Sequence, residues 1–386
     1  MQTSDAVVTF QVVFRLCTSP QFLVLCTVGD VPTPRVQLRS PCCASVLSVP
    51  ELPSSTFVGC LLALCGAASW LDTASNLGRH QRQRQRRHPP ALPLFQDTAL
   101  QDLIIMSLNV LAIGSSRNIG YYSSIRLLNS GATVTFLLRS PGVFDADETI
   151  QKYIKAGKAH LVKGDALVKE DVQRVWDEAG KHGPVDVLLF TVGGTPKFSF
   201  TKGFVIDPAN LVTQSLFNAL CTIPTSEPQP RVITISSTGL TRTSHAKLPL
   251  PLKPFYGHFL ALPHKDKVGA ERLVAHCAGW SWNTKDDGEP EDDIMGAKGD
   301  EWKKREGLPA EGSLKRALVI RPAFLTDGEC KAEDEKEKKK GKPGYRVSEG
   351  ELGGWTVSRK DVAHFVADAI LNRWSEFENK RVNIAH

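Results

Sequence analysis

LNVLAIGSSRNIGYYSSIRLLNSGATVTFLLR, residues 108–139, decides the fold. LNVLAIG (108–114) is a short apolar run ending on glycine, Ile119 to Asn129 reads as a helix, and ATVTFLLR (132–139) is a second, β-branched run. Two strands joined through a helix lie parallel, because a tight turn can only reverse the chain. The stretch is therefore a crossover unit of a parallel sheet.

The alternation continues downstream. AHLVKGD (159–165), VDVLLFTVGG (185–194), RVITISS (231–237), RALVIRP (316–322) and a short run at Val382–Ile384 read as strands. Helices are predicted over Glu170–Lys181, Pro208–Leu220, Lys265–Cys277 and Lys360–Trp374. Strands this uniformly apolar are buried on both faces, which demands helices on each side of a parallel sheet. The fold class is α/β, a doubly wound parallel sheet.

Composition bounds what surrounds this unit. The 386 residues carry 47 Lys+Arg against 41 Asp+Glu, a formal charge of +6 spread along the chain, which argues against a nucleic-acid binder. The first lysine is Lys152, and residues 1–105 hold eight arginines and six of the nine cysteines. They show no sustained period of 2 or 3.6, and proline-rich pieces interrupt their apolar runs. Residues 1–105 are expected to be a disordered extension or a mis-assigned start, with Met106 as the functional initiator. Leu52 to Leu71 lacks formal charge and has the length of a membrane span, but Pro53 and its Ser, Ala and Gly content make it weakly apolar, so a membrane role is not expected. The later cysteines (Cys221, Cys277, Cys330) are scattered, without metal spacing, and a reducing, cytoplasmic compartment with no metal is expected. Within 106–386, the segments 281–313 and 329–346 are charge-dense and poor in apolar residues, and are expected to be mobile surface insertions.

The first turn carries the chemistry. Gly114-Ser115-Ser116-Arg117-Asn118-Ile119-Gly120 follows the first strand and opens directly into a helix, whose free N–H groups and positive dipole end suit a pyrophosphate. Gly114 suits the tight turn and Gly120 close helix–strand packing. Asn118 stands where a further glycine is usual, and asparagine tolerates positive φ. At the end of the second strand there is no carboxylate for ribose hydroxyls; Arg139, with Arg117, offers guanidinium groups suited to a 2′-phosphate, so NADP is expected rather than NAD.

GSSRNIG resembles the cofactor turn of the short-chain dehydrogenase/reductase superfamily in its Gly-x-x-Arg-x-Ile-Gly form. GDALVKED (164–171), LLFTVGG (188–194), ITISSTG (233–239), DKVGAERL (266–273), VIRPAFLTDG (319–328) and SRKDVAHFV (358–366) follow the order of its atypical, NmrA-like branch. The resemblance covers about 106–386 and implies a Rossmann NAD(P)-binding domain with a small substrate-binding C-terminal region. It implies that Gly114, Ser116, Arg117, Asn118, Ile119, Gly120 and Arg139 hold the dinucleotide. By the same resemblance Asp165 with Ala166 meets the adenine, and Val192, Gly193 and Gly194 lie along the nicotinamide ribose. Pro322, with Arg321 and Leu325–Gly328, closes over the nicotinamide, and Arg359 and Asp361 are structural.

Reductases of the superfamily use a Ser, a Tyr and a Lys four residues after the Tyr, the lysine lowering the phenol's pKa. Ser237 matches the serine and Lys267, which is both cofactor-binding and catalytic, matches the lysine. Four residues before Lys267 stands Pro263, which has no proton to give. Tyr256 fits no helical pairing with Lys267 and reaches the site only from a loop. His264, one turn before Lys267, is either an acid near neutral pH or a surface histidine at a helix start. Two functions remain open: an NADPH-dependent reductase of a small carbonyl or conjugated organic substrate, or an NADP(H)-binding sensor without turnover. The oligomeric state is not legible.

Overall fold

The computed structural model describes residues 8–13, 23–28, 36–39 and 108–386, except 196, 200–202, 226–227, 248–249, 251–252, 254, 337–340 and 342–343. The chain divides into two units, Met1–Leu92 and Pro93–His386. In the first unit, β1 (Val8–Val13), β2 (Leu23–Val28) and β3 (Val36–Arg39) form an antiparallel sheet with β2 in the middle. VTFQVV and LVLCTV are apolar runs that pair through backbone groups, which needs no side-chain alternation. The candidate span Leu52–Leu71, the arginine-rich run after it and Met106 lie outside the described residues.

The second unit is built on an eight-stranded sheet. Its elements are β4 (Asn109–Ile113), α1 (Asn118–Asn129), β5 (Thr133–Leu138), α2 (Glu148–Lys155), β6 (Ala159–Lys163), α3 (Lys169–Gly180) and β7 (Val187–Phe190). A short hairpin of β8 (Lys197–Ser199) and β9 (Gly203–Val205) follows, then α4 (Leu211–Cys221), β10 (Arg231–Ile235), α5 (Arg242–Lys247) and α6 (Ala261–Ala278). The chain ends with β11 (Ala317–Pro322), β12 (Phe324–Thr326), β13 (Arg346–Ser348), β14 (Thr356–Ser358), α7 (Arg359–Leu371) and β15 (Lys380–Ala385). Spatially the strands run β13-β15-β11-β10-β7-β4-β5-β6, all parallel except β13, which pairs antiparallel with β15 at the edge. The expected Rossmann architecture is present, and its strand order reverses between β4 and β7. In such sheets the ligand crevice lies at that switch, outside the carboxyl ends of the strands.

Alternate residues of one strand enter different cores. Val187 and Leu189 of β7 pack with α1 and α7, whereas Leu188 and Phe190 pack with α3, α4 and α6, and all four are buried. A strand whose side chains alternate between two covered faces must be apolar throughout, which is why these runs were legible.

Segment 281–313 is not a mobile insertion. Ile294, Met295 and Trp302 are buried, and Met295 and Trp302 belong to the core beneath α4 and α6. The Trp302 ring stands edge-on to Phe217 at 6.0 Å and to His276 at 5.2 Å. The flanking charges neutralise one another, as in Lys303–Asp300 (2.8 Å) and Lys265–Glu291 (2.6 Å), so a few apolar anchors suffice. Average composition conceals this because it ignores where the anchors fall. A Trp302→Ala protein is expected to lose about 3 kcal/mol of stability, read as a lower urea midpoint; a solvated loop would give less than about 0.5 kcal/mol.

Segment 329–346 is likewise tied down at both ends. The Cys330 thiol (3.4 Å) and the Ala332 N–H (3.0 Å) donate to the buried Asp361 carboxylate, and β13 joins the sheet. Asp361 also sits three residues into α7, where the Ser358 hydroxyl caps its N–H at 2.9 Å. Among the described residues no helix is long and apolar enough to cross a membrane, and no group of three or more His, Cys, Asp or Glu is placed to hold a metal.

Candidate functional site

The turn after β4 is shaped by what cannot be there. Gly114 adopts φ +83°, and a Cβ on it would lie 2.5 Å from the Val192 backbone nitrogen. A Cβ on Gly120 would lie 2.6 Å from Ser115 Oγ and collide with Thr191 Oγ1. The two glycines thus let the start of α1 settle against the ends of β4 and β7, where the Ser115 and Thr191 hydroxyls meet at 3.1 Å. Asn118 takes φ +56°, the left-handed conformation its residue type tolerates. Ser116 is half-buried, Ile119 buried, and Arg117 exposed, its guanidinium donating to Thr195 Oγ1 at 2.5 Å. The first turn of α1 holds no carboxylate, and a helix start leaves its first N–H groups without intrahelical acceptors. The result is a small cradle that favours anions.

The other strand ends line up beside it. Arg139 is exposed just beyond β5. Asp165, beyond β6, accepts the Leu167 N–H at 3.0 Å, and its own N–H donates to Asp171 at 2.8 Å. It does not cap α3, whose N-cap is Val168. The Ala166 carbonyl accepts the Asn218 side-chain amide at 3.0 Å. The fourth parallel strand ends at Phe190, so Val192, Gly193 and Gly194 lie in the loop beyond it, and open space stands where a Cβ on Gly193 would point. Pro322 ends β11, its carbonyl accepting the Thr238 N–H at 2.9 Å.

DKVGAERL acquires a meaning residue by residue. α6 begins at Ala261, before the expected Lys265, because proline is tolerated in a first turn; Pro263 and His264 are therefore helical. Asp266, fully buried, accepts the Val212 and Thr213 N–H groups at 2.8 Å each and so caps α4 from a distant helix. Burial nevertheless holds its carboxyl above the ordinary range. Lys267 Nζ donates to the Ile235 carbonyl at 2.6 Å, at the end of β10. Burial lowers its pKa to about 8, against the opposing pull of Asp266 and Glu271. At Gly269 a Cβ would lie 2.5 Å from Ile294 and 2.6 Å from Thr213 Oγ1, so only glycine lets α6 approach them.

Glu271 anchors the floor of the site. Its carboxylate takes Arg321 through two guanidinium nitrogens, at 2.9 and 2.5 Å, and accepts the Ser236 hydroxyl. Asp287 joins at 3.8 Å from Arg321 and 3.3 Å from Arg381. Burial pushes the Glu271 carboxyl up, but Arg321, Ser236 and Arg381 together hold it below its usual range. The sequence offers no local signal for this cluster, whose members lie just beyond β10, on α6, β11 and β15, and in segment 281–313.

The structure brings Ser237, His264 and Lys267 together. Ser237 Oγ stands 3.5 Å from His264 Nε2 and donates to the Thr238 carbonyl at 3.0 Å. His264 is half-buried, not a surface histidine, and burial with the nearby His245 and Lys267 pushes it down to about 4, away from the near-neutral value expected. Tyr256 belongs to the turn Phe255–Phe259, and its side chain lies outside the described residues.

No protein-family model matches the chain. The reductase pytE of Aspergillus terreus is 31% identical over 209 residues, 52% of this chain and 67% of that protein. Among solved structures, a short chain dehydrogenase from Burkholderia cenocepacia in complex with NADP is 13% identical with a TM-score of 0.44, covering 72% of this chain and 96% of that one. A 3-oxoacyl (acyl-carrier-protein) reductase from Agrobacterium tumefaciens with NADP bound is 16% identical with a TM-score of 0.44, covering 75% and 98%.

Proposed function

We propose that the chain, a relative of the reductase pytE of Aspergillus terreus, is an NADP(H)-dependent oxidoreductase of the short-chain dehydrogenase/reductase superfamily, in its atypical, NmrA-like branch. It reduces a small carbonyl or conjugated organic substrate. The observation that carries this reading is the Gly114–Gly120 turn at the β4/β7 switch, where neither glycine has room for a Cβ. Its backbone amides receive the pyrophosphate, with Ser116, Arg117, Asn118 and Ile119 around it. Asp165 and Ala166 bound the adenine side, Arg139 receives the 2′-phosphate, and Val192, Gly193 and Pro322 border the nicotinamide end. When bound, the nicotinamide supplies or accepts a hydride at the substrate carbon. Lys267, pinned to the end of β10, carries a positive charge beside the crevice, and Ser237 offers a hydroxyl to the substrate oxygen.

Steady oxidation of NADPH with quinones, flavins or aldehydes, absent without protein, is the expected result; NADPH binding without any turnover across that panel would favour the sensor. Selectivity has its own test. Replacing Arg139 by Glu exchanges a charge-assisted contact for a repulsion, and is expected to weaken NADPH binding at least about tenfold while leaving NADH nearly unchanged. An unaltered NADPH-to-NADH ratio in a cofactor-fluorescence titration removes Arg139 from the 2′-phosphate site.

A further inference from the structure

The geometry points to a proton route that replaces the tyrosine: we infer that His264 protonates the substrate oxygen through the hydroxyl of Ser237. The inference rests on the oxidoreductase reading. Pro263 occupies the position four residues before Lys267, so no phenol stands at the family spacing. One residue further, and one helical turn before Lys267, His264 places Nε2 3.5 Å from Ser237 Oγ. The single hydroxyl hydrogen of Ser237 is donated to the Thr238 carbonyl, which leaves its lone pairs for an incoming N–H. A substrate oxygen that displaces the Thr238 contact receives that hydrogen, and the His264 N–H refills the serine.

The step balances. Starting from the imidazolium, the carbonyl carbon takes a hydride from the reduced nicotinamide and the carbonyl oxygen takes the Ser237 proton. Ser237 takes the Nε2 proton of His264, and the imidazole ends neutral beside an alcohol. The C=O π bond is broken, one C–H and one O–H bond are formed, and the nicotinamide is oxidised. In the alcohol-oxidising direction the neutral imidazole is the base. Burial opposes the ionisation of His264 most strongly, and His245 of α5 and Lys267 of α6 oppose it further. The imidazolium is therefore scarce but strongly acidic, and its population falls tenfold for each pH unit above about 4.

Two measurements test this on the full chain. The first needs no turnover: in protein labelled with 15N-histidine, His264 is expected to remain neutral at about pH 5, where an ordinary imidazole is ionised, and Ser237→Ala is expected to shift its Nε2 resonance. A His264 that ionises near its ordinary value and ignores Ser237→Ala overturns the contact. The second uses nitrobenzaldehyde with NADPH. The wild-type rate is expected to fall about tenfold per pH unit between about pH 5 and pH 7. His264→Gln is expected to lose about a hundredfold at the acid end and to show a flat profile there, with NADPH affinity unchanged. A His264→Gln protein that keeps the wild-type rate and slope refutes the proton route while leaving the oxidoreductase reading intact. Failure of both proteins to bind NADPH instead refutes that reading.

Discussion

A Gly114→Val protein is expected to lose saturable NADPH binding and about 3 kcal/mol of stability, the sum of a β-branched residue forced into left-handed backbone and an overpacked contact. The effect is large because two independent obstacles coincide. At φ +83° an L side chain is strained whatever the space, and its Cβ would stand 2.5 Å from the Val192 nitrogen, a backbone atom that cannot swing aside. Relief requires β4 and β7 to separate at their carboxyl ends, which opens the cradle itself. Gly157→Ala separates the two causes. Gly157 has φ +66° but nothing within 4 Å of an added Cβ, so only the conformational cost of about 1 kcal/mol is expected there, with NADPH affinity intact. Equal urea midpoints and equal cofactor titrations for the two variants would show that the close approach of Gly114 to Val192 is immaterial.

Removing the buried carboxylate of Glu271 is the second large effect. Glu271→Ala leaves the Arg321 guanidinium, which is only 11% exposed, without its bidentate partner and the Ser236 hydroxyl without its acceptor. An uncompensated buried charge of this kind costs about 3–5 kcal/mol. Asp287, 3.8 Å from Arg321, offsets part of that cost, so a loss of about 3 kcal/mol is expected in urea unfolding. The pH dependence carries the sign. The Glu271 carboxyl is held below its usual range when folded, so its contribution is complete above the ordinary carboxylate pKa and fades as pH falls through the folded value. The wild-type protein should therefore lose stability on acidification more steeply than Glu271→Ala. Parallel stability curves from neutral pH into the acid range would show that the pair contributes nothing to folding.

Much of the architecture was legible because its signals are local. Each parallel strand is a short apolar run, since both of its faces are covered, and the Gly114–Gly120 turn declares itself by glycines at a strand-to-helix junction. Asn118 was legible for a related reason: few residue types accept the φ of +56° that it adopts. The antiparallel edge strand β13 was not, since RVS is too short to show a period and is held by its pairing with β15. The helix α2, between β5 and β6, was missed as well; only eight residues long, it is defined by the Asp147 side chain accepting the Ile150 N–H at 3.0 Å.

The order of residues along the chain determined the parallel α/β sheet and the anion-favouring bend after its first strand, because both follow from neighbours within a few positions. Tertiary structure alone decided which charges are buried. Glu271, Arg321, Asp287 and Arg381 come from four distant segments, and Asp266 caps a helix more than fifty residues away in sequence. It also decided that His264 faces Ser237 and is hard to ionise rather than lying in water. Solvation and Coulomb energies depend on distances through space, and those exist only after the sheet has brought its carboxyl ends together.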